Sequence, residues 1–160
     1  MKRIILLLLI FPLINFSQDN LSLDDILTID SKEAFLKVVI ENGYSEGNTN
    51  KEKIYYGKGF KNDKSQATDW AEYTNNIGEF YFEQSDLAYV RKHSKKISCY
   101  YDLLVSEIKD RCEHQKIMVH ESKKNGEVNF STYKCSNSKF NGTIGFAQVE
   151  GNGIIQEFPQ

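Results

Sequence analysis

Twice along this chain, a stripe of apolar residues at helical spacing gives way to short runs of aromatic and β-branched residues divided by Gly, Asn, Asp and Ser. Few architectures accept that order. Strands that follow one another through short turns pair antiparallel, because parallel pairing needs a long crossover after every strand. In the first half, Asp30 is placed to cap exposed backbone N–H groups, and Glu33 follows at capping-box spacing. Phe35, Leu36, Val38, Val39 and Ile40 then form the helical stripe, and Gly43 ends it. Ahead of it, Ser22 with Leu23, Ile26 and Leu27 predicts a short helical turn. Lys53 to Phe60, Asp69 to Thr74 and Gly78 to Gln84 read as strands, and Leu87 to Val90 as another behind the Ser85-Asp86 turn.

The second half repeats the plan. Ser94 is the candidate cap, and Ile97, Tyr101, Leu104, Ile108 and Cys112 recur at intervals of one helical turn. Lys116 to Ser122 and Glu127 to Cys135 flank Asn125-Gly126, the strongest short hairpin signal. Phe140 to Val149 and Gly153 to Phe158 supply the last strands. The segments Asn76-Ile77-Gly78-Glu79-Phe80 and Asn141-Gly142-Thr143-Ile144-Gly145-Phe146 are roughly alike. The expected fold is a single α+β domain over residues 18–160, an antiparallel sheet with helices on one face. Two α-β-β-β pseudo-repeats, residues 21–90 and 94–160, would build it.

The segment ahead of that domain reads as an address. Lys2 and Arg3 precede an apolar run from Ile4 to Ile14, and Asn15-Phe16-Ser17 follows. Basic start, short apolar stretch and small residue at the cut are the layout of a bacterial-type secretory signal peptide, residues 1–17. As a helix, Ile4 to Phe16 spans only ~20 Å against a hydrocarbon core of ~30 Å, and Pro12 interrupts it. No cysteine follows to carry a lipid. The expectation is therefore export to the periplasm or beyond, with no stable membrane anchor after cleavage. Loss of Lys2 and Arg3 leaves 18 basic against 22 acidic residues, a net charge of −4. That balance argues against a nucleic-acid partner.

An oxidising destination changes the reading of the three cysteines. Cys99 and Cys112 lie thirteen residues apart on one predicted helix, ~20 Å, so they do not pair with each other. Cys112 with Cys135 is the expected bridge, joining the end of that helix to a strand.

Catalytic and metal readings find little to stand on. His114 and His120 share the parity of one strand face, but six extended residues separate them by ~20 Å, too far for one zinc ion. Cys99 near a helix start, with His93 upstream, lacks an assured base and sits among Tyr100 and Tyr101. Asp24-Asp25 with Asp86 could form a carboxylate pair, but Asp24-Asp25 is better explained as favourable charge at a helix N-terminus. No cofactor, metal or catalytic residue is assigned. The aromatic residues carry the remaining signal. Tyr55, Trp70, Tyr73 and Tyr81 fall in strands where alternation sends neighbours to opposite faces, and rings left on an uncovered face suit binding. The expected function is a small exported, non-enzymatic binding module for a protein, peptide or carbohydrate. A small extracellular hydrolase and a structural envelope component are the alternatives.

Overall fold

Both N-terminal helices begin on a serine. In the computed structural model, which describes residues 21–47, 49–59, 67–75, 78–93, 99–122 and 126–160, α1 (Leu23–Leu27) carries a reciprocal cap. The Ser22 hydroxyl accepts from the Asp25 N–H at 3.2 Å, and the Asp25 carboxylate accepts from the Ser22 N–H at 3.0 Å. In α2 (Lys32–Glu41) the cap is Ser31 rather than Asp30. Ser31 accepts from the Ala34 N–H, and Asp30 accepts from the Ser31 hydroxyl. The expected signal was displaced by one residue, because either side chain could take the role and the hydroxyl stands nearer the third helical N–H. The signal-peptide segment lies outside the described residues.

The largest difference from expectation is Leu87 to Val90, which is helical and belongs to α3 (Leu87–His93). A strand would send residues three apart to opposite faces, whereas a helix turns Leu87 and Val90 together into the main apolar cluster. Short apolar runs do not discriminate between the two periods. The long second helix, α4 (Tyr100–Arg111), starts later than its apolar stripe implied. Ser94 and Ile97 lie outside the described residues.

Among the described residues, eight strands form one sheet: β1 (Ser45–Glu46), β2 (Lys53–Lys58), β3 (Asp69–Thr74), β4 (Glu79–Gln84), β5 (Glu113–Ser122), β6 (Gly126–Lys134), β7 (Gly142–Val149) and β8 (Asn152–Pro159). Their order is β1-β2-β3-β4-β8-β7-β6-β5, and every neighbouring pair is antiparallel. Among the described residues, the element order is two helices and four strands, then two helices and four strands. The expected unit had one helix and three strands. The extra elements, a two-residue strand and a seven-residue helix, are too short to show a period.

Register separates the two faces of the sheet. Ile54, Tyr73 and Phe80 are cross-strand partners in turn, as are Tyr56, Ala71, Phe82, Ile155 and Phe146. These first-face residues join Phe35, Val38 and Val39 of α2 and Tyr101, Leu104 and Ile108 of α4 in one apolar cluster. Phe35 alone meets the rings of Tyr56, Tyr73 and Phe82, at centroid distances of 6.5, 5.3 and 5.9 Å. On β8, Gly153 makes room for α4: a methyl group there would overlap the Tyr101 ring. The Tyr101 hydroxyl reaches across to donate to the Ala147 carbonyl at 2.8 Å.

Val128, Phe130, Ala147, Ile154 and Phe158 form a second cluster from strand residues only, on the opposite face. Strands can bury one another this way only if the sheet curls. β6 pairs with β7 over Ser131, Thr132 and Tyr133 alone, so the rest of the β5–β6 hairpin is released from it. The His120 ring on β5 lies 6.3 Å from the Phe158 ring on β8. Three strand spacings in a flat sheet would be about 14 Å. Gly145 lets the Phe158 ring cross β7 to meet Phe130 at 5.1 Å.

Cys112 and Cys135 form the expected disulfide, tying the C-cap of α4 to the residue that follows β6. The bridge closes a loop across 23 residues. Replacing both cysteines by alanine is expected to destabilise the fold by about 3 kcal/mol, in line with the entropy of a loop of that length. Chemical denaturation of the two proteins measures it. Equal stabilities would refute the structural role of the bridge.

Candidate functional site

The second face carries a patterned surface across its central strands. Cross-strand pairing lays out one row, Tyr55, Glu72, Tyr81 and Gln156, and beside it another, Gly57, Trp70, Glu83 and Ile154. A third begins Lys53, Thr74, Glu79. Aromatic rings therefore alternate with carboxylates both along and across the strands. Tyr55, Trp70 and Tyr81 are half-buried, as are Glu72 and Glu83.

Hydrogen bonds hold the carboxylates in place. The Tyr81 hydroxyl donates to one oxygen of Glu83 at 2.7 Å, and the Asn152 amide donates to the other at 2.7 Å. Lys53 pairs with Glu72. Burial raises the Tyr81 phenol above its usual range, and the charge of Glu83 raises it further. Tyr55 is raised the same way, by burial and then by Glu72. Burial also lifts the Glu79 carboxyl, against the opposing pull of His120 and Lys53. Both hydroxyls thus stay protonated donors at neutral pH.

Of the four aromatic residues singled out from the sequence, three meet here and one does not. Tyr73 lies in the first-face row between Ile54 and Phe80 and packs on Phe35. Alternation along β3 already separated Trp70 from Tyr73 by parity, so this placement was readable once the strand's phase was known. The histidines divide for a subtler reason. The ladder between β5 and β6 shifts register between His114 and Ile117. That bulge changes the phase, so His114 faces Tyr133 on the first face while His120 meets Phe130 on the second. The even spacing that placed them on one face is overruled.

The remaining candidates serve the scaffold. Asp25 completes the α1 cap, and Asp24 pairs with Arg111 of α4. Asp86 adopts a positive φ of 51°, and its N–H donates to the Asn152 side chain. Cys99 is buried at the start of α4, where its thiol donates to the Gln84 side-chain oxygen at 3.3 Å. The side chain of His93 is outside the described part of the structure. Among the described residues, no group of three or more His, Cys, Asp or Glu could hold a metal ion, and no helix is long and apolar enough to cross a membrane.

The first face also carries a set of buried polar residues that the sequence reading passed over. Gln84 stands opposite Asp69 at the ends of β4 and β3. Its side-chain oxygen also accepts from the Tyr101 N–H at 3.2 Å, so a strand glutamine caps α4 where Cys99 makes no side-chain cap. Burial raises the Asp69 carboxyl and the Tyr44 and Tyr100 phenols. Glu157 of β8 is 6% exposed, in register with Ile144. Burial, and then the charge of Glu79, push its carboxyl up to about 7, against a backbone hydrogen bond from Phe80. Strand phase was the available signal: Gln84 follows Phe80 and Phe82 at intervals of two, and Glu157 follows Ile155. Each therefore points inward.

Comparison with protein-family models, with curated proteins and with solved structures finds no match to this chain.

A carboxyl raised on folding is held protonated more tightly by the native state, so its contribution is present below the unfolded value and lost as pH rises through about 7. The protein is expected to be more stable at about pH 5 than at about pH 8. Glu157→Gln should remove part of that difference, on the order of 1–2 kcal/mol after allowing for partial hydration of the group. Thermal unfolding across the two pH values tests it. An unchanged slope in the variant would contradict the assignment to Glu157.

Proposed function

We propose that this is a small exported protein that binds its ligand without chemistry, through the second face of the sheet. The helices in this reading cover the first face alone, and each half of the chain contributes one copy of a duplicated helix-and-strand unit. Tyr55, Trp70 and Tyr81, held on one face around Glu72 and Glu83, are the observation that carries the binding reading. Rings on central strands present large contact areas with little side-chain freedom to lose. Carboxylates already fixed by Tyr81 and Asn152 are pre-organised acceptors. Export is supported by the signal-peptide layout and by the Cys112–Cys135 bridge, which suits an oxidising compartment.

Trp70, the only tryptophan, reports on this surface directly. Titrating the oxidised, exported protein with a panel of soluble oligosaccharides and short peptides is expected to give a saturable change in its fluorescence with one class of ligand. Tyr55→Ala and Tyr81→Ala should each weaken that binding about tenfold, as for aromatic anchors near the centre of an interface. Turnover of a panel compound, or binding indifferent to both substitutions, would overturn the reading.

A further inference from the structure

The charges on the second face identify the ligand more closely. On that face, β2, β3 and β4 carry Glu72, Glu79 and Glu83 against the single cation Lys53. Glu83 stands opposite Trp70 and accepts from Tyr81, and Glu72 stands between Tyr55 and Tyr81. Each of these two carboxylates is thus framed by aromatic rings. A ring face attracts a cation, and a neighbouring carboxylate attracts it again, whereas a neutral sugar ring gains only from the stacking. Spacing adds a further constraint. Glu72 and Glu83 are diagonal neighbours on adjacent strands, a relation that separates side-chain origins by about 7–8 Å. Alternate residues of an extended peptide lie about 6.6 Å apart. Two cationic side chains at such positions match the two carboxylates.

We propose that this face binds an extended segment of another protein bearing lysine or arginine at alternate positions, with two of its cations at Glu72 and Glu83 between the rings of Tyr55, Trp70 and Tyr81. The proposal rests on the binding reading above and narrows it to one partner chemistry. The overall acidity of the mature chain favours approach of such a segment.

The probe is the blocked pentapeptide Arg-Ser-Arg-Ser-Arg, titrated into the oxidised protein while Trp70 fluorescence is followed. A saturable response is expected, and it should weaken at least about tenfold between about 50 and about 500 mM salt. Glu72→Gln with Glu83→Gln should weaken it about tenfold or more. Glu107→Gln with Asp110→Asn, a pair on α4, should leave it within about twofold. The peptide Gln-Ser-Gln-Ser-Gln on the unaltered protein should fail to bind, and this arm is independent of how any variant folds. No response to the arginine peptide, equal binding of the glutamine peptide, or equal loss from the α4 pair would each overturn the proposal. A response to oligosaccharides alone would overturn it while leaving the binding reading intact.

Discussion

Four cross-strand pairs, from Tyr81–Gln156 to Gln84–Gly153, join the strands of the first half of the chain to those of the second. The union of the two halves in one sheet depends on that seam. It lies at the middle of the sheet, with β3, β2 and β1 stacked outward on one side and β7, β6 and β5 on the other. Pairing between strands so distant in sequence closes a long loop at an entropic cost that local hairpins do not incur. The seam is held by more than its ladder. Phe82 and Ile155 enter the main apolar cluster at its centre, and Gly153 lets the Tyr101 ring lie directly on β8.

The buried polar residues of the first face follow from the same geometry. α4 begins over the end of the seam, where its first N–H groups have no carbonyl partners within the helix. Gln84 supplies an acceptor there, and its own burial is tolerated because its oxygen is used twice. Asp69 and Glu157 are less well served, so burial raises both carboxyls toward the neutral form. The fold therefore carries acidic groups that burial biases toward the protonated form, beside a second face whose carboxylates Glu72 and Glu83 are hydrogen-bonded or ion-paired. Like residue types serve opposite purposes on the two sides of one sheet, and register alone assigns them.

Curvature completes the candidate site. With only three paired positions between β6 and β7, the β5–β6 hairpin leans toward the second face, bringing His120 to Phe158 and near Glu79. The bulge beside His114 makes this arrangement possible by exchanging which side chains of β5 face inward. Ile117 and Val119 are left strongly exposed on the outer side as a result, at 64% and 61%.

The sequence by itself determined most of the elements, because periodicity, caps and turn residues are local: the stripe of α2, the pairing of β5 with β6 and the strands around Trp70 and Phe80 were all legible, while Asn125 of the expected turn lies outside the described residues. It also ruled out a Cys99–Cys112 bridge, since those residues lie at opposite ends of one helix, while the Cys112–Cys135 pairing was decided by the fold. Tyr55 and Tyr81 were readable as surface candidates from alternation, but their company with Glu72 and Glu83 was not. That company depends on the register of the β2–β3 and β3–β4 pairings, which alternation along each strand does not specify. The helical state of Leu87 to Val90, the inward turn of Tyr73, Gln84 and Glu157, and the separation of the two histidines were likewise decided by tertiary structure. In each case the packing of distant residues selected one of two phases that the local pattern allowed, because burying a side chain on the wrong face costs more than any local propensity can offset.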